Sequence, residues 1–300
     1  MLLNARSGTG SDQQQADTIR ALFAAEGLEA EVLLAEDPRQ LPAAIERARS
    51  AGTDLVVAGG GDGTQAAVAS SLAGTDAVQG VLPLGTLNHF AKDLGIPMKL
   101  EDAVRTIAQG RTLQVDVGEV NGRFFINNSS LGLYPEIVRE RELQRMRLGK
   151  SKWRALASAT LRATQRSHGL AVRIASESEE QVRRTPFVFI GNNRYTMEGL
   201  DIGARASLQG GELALYLGRR RGRLALLKLA LRALFKRLDQ AEDFEVVTGQ
   251  AFVISTTDAR IRVATDGEIA MLDTPLHYRI RPAALRVMVP AEPQAQATPR

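Results

Sequence analysis

Four apolar residues, Leu55-Val56-Val57-Ala58, run without a break into Gly59-Gly60-Gly61-Asp62-Gly63-Thr64, and nothing else in the chain narrows its fold as much. A short apolar run stopped by glycines reads as a buried strand, and the pattern over residues 64–73 reads as a helix. A buried strand feeding a helix through a tight turn is a unit of α/β architecture. The flanking sequence repeats it. Strand-like pieces at 1–3, 30–34 and 81–84 alternate with helix-like pieces at 13–26, 41–51 and 101–109. Ile19, Leu22 and Phe23 share one face of the first of these helices. Such alternation predicts a parallel sheet covered on both faces, a three-layer α/β domain.

The second half changes character. Short β-rich runs at 115–120, 123–127, 171–175, 187–191, 212–217, 244–247, 251–255, 260–264 and 276–280 follow one another, and 285–289 adds a last strand. Asn121-Gly122, Gln209-Gly210-Gly211 and Asp266-Gly267 mark turns between them. Strands in series predict an antiparallel β-sandwich, here interrupted by two basic segments that read as helices. The expected division is an α/β domain over 1–114 with 283–290, a sandwich domain over 115–282, and a loose tail over 291–300.

Composition excludes several chemistries. Hydrophobic residues at 44% and charged ones at 24% are enough for packed cores, which rules out disorder for most of the chain. Zero cysteines exclude disulfides, thiolate metal sites and a Cys nucleophile. Three histidines, His89, His168 and His277, are too few and too scattered for a multi-histidine metal centre. No stretch has the pattern of a signal peptide or a membrane span, so a cytoplasmic protein is expected.

The net charge of +4 conceals its distribution. Residues 139–166 hold nine Lys/Arg against two Glu, and residues 219–238 hold eight Lys/Arg and no acid. The rest of the chain is therefore acidic. Concentrated positive charge predicts an anionic partner or surface. In the second segment Leu224, Leu227, Leu231, Leu234 and Leu238 recur at helical spacing, flanked by Lys228, Arg232 and Lys236 and preceded by Arg219, Arg220, Arg221 and Arg223. That pattern fits an interfacial helix, with Arg221, Arg223, Leu227, Lys228, Leu231 and Arg232 as membrane contacts. It equally fits a helix that turns its Leu face onto the sandwich. Trp153, the sole tryptophan, is either an interfacial anchor or a packing residue. Nucleic acid is disfavoured as a partner, since the basic helices lack interleaved aromatics.

The chemistry is expected at glycine-containing loops. Glycines allow backbone N–H groups to wrap an anion at a helix N-terminus, and a carboxylate beside bound phosphates calls for a cation between them. Two further loops, Asn4-Ala5-Arg6-Ser7-Gly8-Thr9-Gly10 and Gly85-Thr86-Leu87-Asn88, also follow strands. In an open α/β sheet they would line the same rim, at the carboxyl ends of the strands, where ligands bind. Asp266-Gly267-Glu268 brings two carboxylates to one turn, which suits proton transfer but also describes an ordinary β-turn.

In this order, Gly60-Gly61-Asp62-Gly63-Thr64, Pro83-Leu84-Gly85-Thr86-Leu87-Asn88, Phe90-Ala91-Lys92-Asp93-Leu94-Gly95-Ile96-Pro97, Val115-Asp116-Val117-Gly118, Asn127-Asn128-Ser129-Ser130-Leu131-Gly132-Leu133 and Asp266-Gly267-Glu268 resemble the diacylglycerol kinase catalytic domain family, which also contains sphingosine kinases and bacterial lipid kinases. The resemblance runs through nearly the whole chain. It implies a nucleotide-binding α/β domain like those of NAD kinases and phosphofructokinases, then a β-sandwich, with the last strand returning to the first domain. It also implies ATP and Mg²⁺ in the inter-domain cleft and phosphoryl transfer to a lipid hydroxyl. On the matching motifs, Asn4, Arg6, Ser7, Gly8, Gly60, Gly61, Asp62, Gly63, Thr64, Gly85, Thr86 and Asn88 would hold the nucleotide. Asp62 and Asp116 would serve Mg²⁺, and Asp266 and Glu268, with Asp62, would carry catalysis. The implied setting is the inner membrane face, with a homodimer left open.

Four positions depart from the family pattern. Ala5 stands where proline is usual, His89 where Asp is frequent, and Ala35 where a nucleotide-touching threonine is usual. Gln209-Gly210-Gly211-Glu212 lacks the acid for a structural Mg²⁺. Two other readings stay open at this point: a kinase of a soluble acceptor such as NAD, and a nucleotide- or lipid-binding regulator without catalysis.

Overall fold

The computed structural model describes residues 2–4, 12–35, 40–132, 170–176, 180–198, 201–205, 207–218 and 244–292. The chain divides into two compact units. One comprises residues 1–117, 207–209 and 281–300, the other residues 118–206 and 210–280.

The first unit begins with β1 (Leu2–Asn4), α1 (Asp12–Ala25), β2 (Leu33–Ala35) and α2 (Leu41–Ser50). It continues with β3 (Leu55–Gly60), α3 (Asp62–Leu72), β4 (Val78–Pro83), α4 (His89–Asp93) and α5 (Leu100–Gln109). The strands pair in parallel in the order β2-β1-β3-β4. β3 and β4 are buried nearly throughout, as a sheet covered on both faces requires. α1 packs with α5 and α2 with α3, so the helices form two layers. Ile19, Phe23, Ile45, Val68, Leu72, Val81, Leu82, Val104 and Ile107 fill the core between helices and sheet. The α/β arrangement expected from the strand–helix alternation is the one found.

The second unit holds β6 (Arg123–Phe125), β7 (Asn128–Gly132), β8 (Leu170–Ala175), β9 (Glu180–Thr185), β10 (Phe187–Asn192), β11 (Tyr195–Glu198) and β12 (Asp201–Arg205). It goes on through β13 (Leu213–Gly218), β14 (Phe244–Gly249), β15 (Ala251–Thr256), β16 (Arg260–Thr265) and β17 (Glu268–Asp273). Two long strands, β5 (Arg111–Val120) and β18 (Leu276–Val289), contribute residues to both units. One sheet runs β14-β13-β10-β7-β16-β17, antiparallel throughout. The start of β18 pairs with β15, then β8, then β9, again antiparallel. Between these layers Phe125, Leu131, Val188, Ile190, Leu215, Val263, Phe252, Ile254, Leu276 and Tyr278 form one buried cluster. This is the expected sandwich.

Several elements differ from the sequence-based expectation. β7 was not foreseen because Asn128-Ser129-Ser130 has no apolar residue to mark a strand; it lies inside its sheet between β10 and β16, with Ser129 hydrogen-bonded to Tyr278 at 2.9 Å. β9 carries Glu180, Arg183 and Arg184, tolerable because it is an edge strand paired only with β8 among the described residues. β11, β12, β17 and the short α4 were likewise unforeseen. The runs at 276–280 and 285–289 are one strand, continued through Pro282 with Ala283 at φ 53°. Arg286 and Val287 in its last part lie parallel beside β4. The two basic segments, 139–166 and 219–238, lie outside the described residues. So do Trp153 and the expected membrane contacts Arg221, Arg223, Leu227, Lys228, Leu231 and Arg232. No helix of the described residues is long and apolar enough to cross a membrane.

Candidate active site

Two glycine turns meet at the carboxyl ends of β3 and β4. Gly61 is the N-cap of α3, and Asp62 is the first residue of that helix. A methyl group on Gly60 would lie 2.4 Å from Thr64 Oγ1. One on Gly85 would lie 2.3 Å from the Gly61 Cα and 2.7 Å from Asn88 Oδ1. The turns thus pack backbone against backbone, and only glycine permits that approach. Beneath them Gln65, 2% exposed, donates to the carbonyls of Ala58 at 2.9 Å and Leu82 at 3.3 Å. Gln79 donates in turn to Gln65 Oε1 at 2.9 Å. This buried amide pair ties the ends of both strands and sets the spacing of the turns.

Asn88 shapes the second turn. At φ 51° it accepts the Gly85 N–H at 3.0 Å and donates to the carbonyls of Gly85 at 2.9 Å and Pro83 at 3.2 Å. Its amide is occupied by its own turn. Asp62 links the two: one carboxylate oxygen accepts the Phe90 N–H at the start of α4, 3.0 Å away. His89 and Thr86 are exposed.

Gly63 is different from its neighbours. It is exposed, and a methyl group there would meet no atom of the described residues within 4 Å. Packing among the described residues therefore gives no reason for a glycine at this position. Thr64 and Gln65 donate to the Gly61 carbonyl. Helix geometry leaves the Asp62 and Gly63 N–H groups without intrahelical acceptors, at the positive end of an 11-residue helix. That arrangement binds anions, phosphate above all.

Asn4 ends β1, the strand beside β3, while Arg6, Ser7 and Gly8 lie outside the described residues. Asp116, 4% exposed, accepts the N–H of the kinked Ala283 at 2.9 Å, and its own N–H bonds the Leu208 carbonyl. It is held by the main chain of β18. No group of three His, Asp or Glu side chains gathers at metal-binding range among the described residues. Mg²⁺ does not need one: it usually takes one or two carboxylates, with phosphate oxygens and waters completing its octahedron. Asp62, partly exposed beside the amide cradle, fits that role.

In the second unit Asp266 and Gly267, at φ 48° and 88°, form the two-residue hairpin turn between β16 and β17. Consecutive positive φ values mark a type I′ turn, and Asn121-Gly122 at φ 45° and 81° forms the same turn between β5 and β6. The Asp266 carboxylate accepts three successive N–H groups, from Ile126 at 2.8 Å, Asn127 at 2.8 Å and Asn128 at 3.1 Å. Burial pushes its pKa up to about 6, against the lowering pull of those N–H groups and of Arg205. Glu268 is exposed two residues away.

Arg205 was not singled out from the sequence. Buried at the end of β12, it donates to the Ile126 carbonyl at 2.5 Å and to Asn127 Oδ1 at 3.0 Å, and it stands over the Tyr195 ring. Tyr195 donates to the Asn127 carbonyl at 3.0 Å, and Asn192 to the Ile126 carbonyl at 2.8 Å. The 126–128 segment is thus clamped by an anion on its N–H groups and a cation on its carbonyls. No periodicity marks Arg205, which lies 79 residues along the chain from Ile126.

Comparison with known proteins agrees with this geometry. Residues 1–120 match the diacylglycerol kinase catalytic domain family, and residues 134–289 match the YegS C-terminal NAD kinase beta sandwich-like domain. The chain is 28% identical over 303 residues to the probable lipid kinase YegS of Salmonella gallinarum, covering 97% of this chain and 96% of that one. It is 34% identical over 139 residues to a probable lipid kinase YegS-like protein of Citrobacter koseri, covering 45% and 46% of the two chains. A diacylglycerol kinase structure from Bacillus anthracis has the same fold, with TM-score 0.70, 19% identity and coverage of 96% and 95%. A glycine cradle at a helix N-terminus, an Asp-Gly-Glu hairpin in an antiparallel sandwich and two domain matches that together span most of the chain lead to one assignment: this protein belongs to the diacylglycerol kinase catalytic-domain family, in its YegS-like branch.

Proposed function

We propose that the protein is an ATP- and Mg²⁺-dependent lipid kinase that transfers the γ-phosphoryl group to a lipid hydroxyl. The observation that carries this reading is the bare face of Gly63, where the fold leaves room for a phosphate against backbone N–H groups. In this reading Gly60, Gly61, Gly63, Thr64, Gly85 and Thr86 form the triphosphate cradle. Asn4, Arg6, Ser7 and Gly8 complete it from the first loop, and Asn88 holds the second turn in shape. Asp62 and Asp116 hold Mg²⁺, directly or through water. The bound metal neutralises charge on the phosphates, the main demand of phosphoryl transfer.

Asp266 takes the proton of the acceptor hydroxyl. Three N–H groups fix its carboxylate, and a pKa near 6 leaves it charged at neutral pH yet basic enough to help. Glu268 orients the acceptor. The basic segments, with Arg221, Arg223, Leu227, Lys228, Leu231 and Arg232, bring the protein to an anionic membrane face. The test is incubation with γ-labelled ATP, Mg²⁺ and mixed micelles of candidate lipids. Label in the lipid fraction is expected from the wild type. Asp62→Asn should lower transfer at least 100-fold with an unchanged melting temperature. Label appearing only in a soluble acceptor such as NAD would reject the lipid assignment.

A further inference from the structure

The edge strand β9 reads Glu180-Gln181-Val182-Arg183-Arg184-Thr185. Val182 is 64% exposed, at the middle of a strand that pairs only with β8 among the described residues. Glu180 and Arg184 are exposed on the same face as Val182, while Gln181 and Arg183 lie half-buried on the other. The buried Gln181 Oε1 has no hydrogen-bond partner among the described residues, a costly omission for an amide oxygen.

A two-fold axis through Val182 accounts for all of this. Antiparallel pairing of β9 with its own copy sets Val182 against the partner's Val182 and Glu180 against the partner's Arg184, twice by symmetry. It also sets Gln181 against the partner's Arg183, a donor for the orphaned oxygen. Arg183 is only loosely engaged within the chain, 3.7 Å from Glu245. The end strands of the large sheets other than β9 lack this property. β17 carries Glu268 and Asp273 and no base, β14 has Glu245 as its sole charge, and β2 has none. We propose that the protein forms a homodimer by antiparallel pairing of β9 with the β9 of a second copy, centred on Val182. Five residues a side make a small contact, so the dimer is transient.

The charge pattern supplies the test. Glu180→Arg opposes Arg to Arg in its own homodimer, and Arg184→Glu opposes Glu to Glu. A 1:1 mixture of the two variants restores both opposite-charge pairs. Sedimentation across a concentration series reaching the submillimolar range should show monomer–dimer exchange for the wild type. Each variant alone should dimerise roughly tenfold more weakly, since opposed like charges destabilise cross-strand pairs, and the mixture should recover wild-type behaviour. Both side chains are exposed, and melting temperatures confirm folding of each variant; Glu180 also contacts Arg173 at 2.8 Å, so that check matters most for Glu180→Arg. The chain has no cysteine, so Val182→Cys gives an independent readout. Mild oxidation should yield a disulfide-linked dimer, and Glu180→Arg on that background should suppress it. A wild type that stays monomeric throughout, or folded variants that fail to recover on mixing, overturns the proposal.

Discussion

Gly63 and Gly85 sit in neighbouring turns, yet they are glycines for different reasons. Gly85 is demanded by the fold, because a methyl group there would overlap the Gly61 backbone. Gly63 is demanded by no neighbour among the described residues. Gly85→Ala should therefore cost about 1–3 kcal/mol of stability, seen as a lower denaturant midpoint. Gly63→Ala should leave stability unchanged or raise it by up to about 1 kcal/mol through helix propensity, while raising the KM for ATP at least tenfold. Asp266 gives a prediction in pH. Its pKa lies near 6, above the ordinary carboxylate value of 3.8, so the folded state binds that proton more tightly than the unfolded chain. The stability this group contributes is fully present below pH 3.8 and is lost as pH rises to about 6. Thermal melting of the wild type across that window should show this loss, and Asp266→Asn should flatten it. The acid limb of kcat/KM should rise through the same pH, because proton acceptance needs the ionised form.

At the scale of elements, the polar strand β7 shows how burial overrides composition. Ser129 is fully buried, and its hydroxyl meets the buried Tyr278 hydroxyl from β18. Burial also pushes the Tyr278 pKa upward, so the phenol stays neutral and its hydrogen remains available to this bond. Tyr278→Phe strands the serine hydroxyl and should cost about 1–3 kcal/mol in urea unfolding. Adding Ser129→Ala should recover part of that loss, as expected for coupled partners. The same strand explains part of what the sequence conceals. Apolar strands such as β3, β4 and β13 announce themselves by composition, and Asn-Gly and Asp-Gly by turn chemistry. β7 and β9 do not, because one is stabilised by side-chain hydrogen bonds from distant strands and the other is an edge free to carry charge. Long-range partners leave no local periodicity.

At the scale of the molecule, the α/β unit, the sandwich and the glycine turns were all legible, since each rests on local pattern plus an ordered series of motifs. The clamp around Ile126-Asn127-Asn128 was not. Asn192, Tyr195 and Arg205 sit on consecutive strands, but 66, 68 and 79 residues along the chain from their partners in this segment, and only folding brings them to it. Nor does sequence separate the glycines that serve packing from one that no described neighbour requires; that distinction needs the neighbours of each Cα. The proposed chemistry turns on whether the α3 N-terminus, opened by Gly63, grips the phosphates of MgATP. Calorimetric titration of MgATP into wild type and Gly63→Ala tests it most directly. Saturable heat is expected from the wild type, with at least tenfold weaker binding by the equally stable variant. No heat from the wild type, or equal affinity in both, would contradict it.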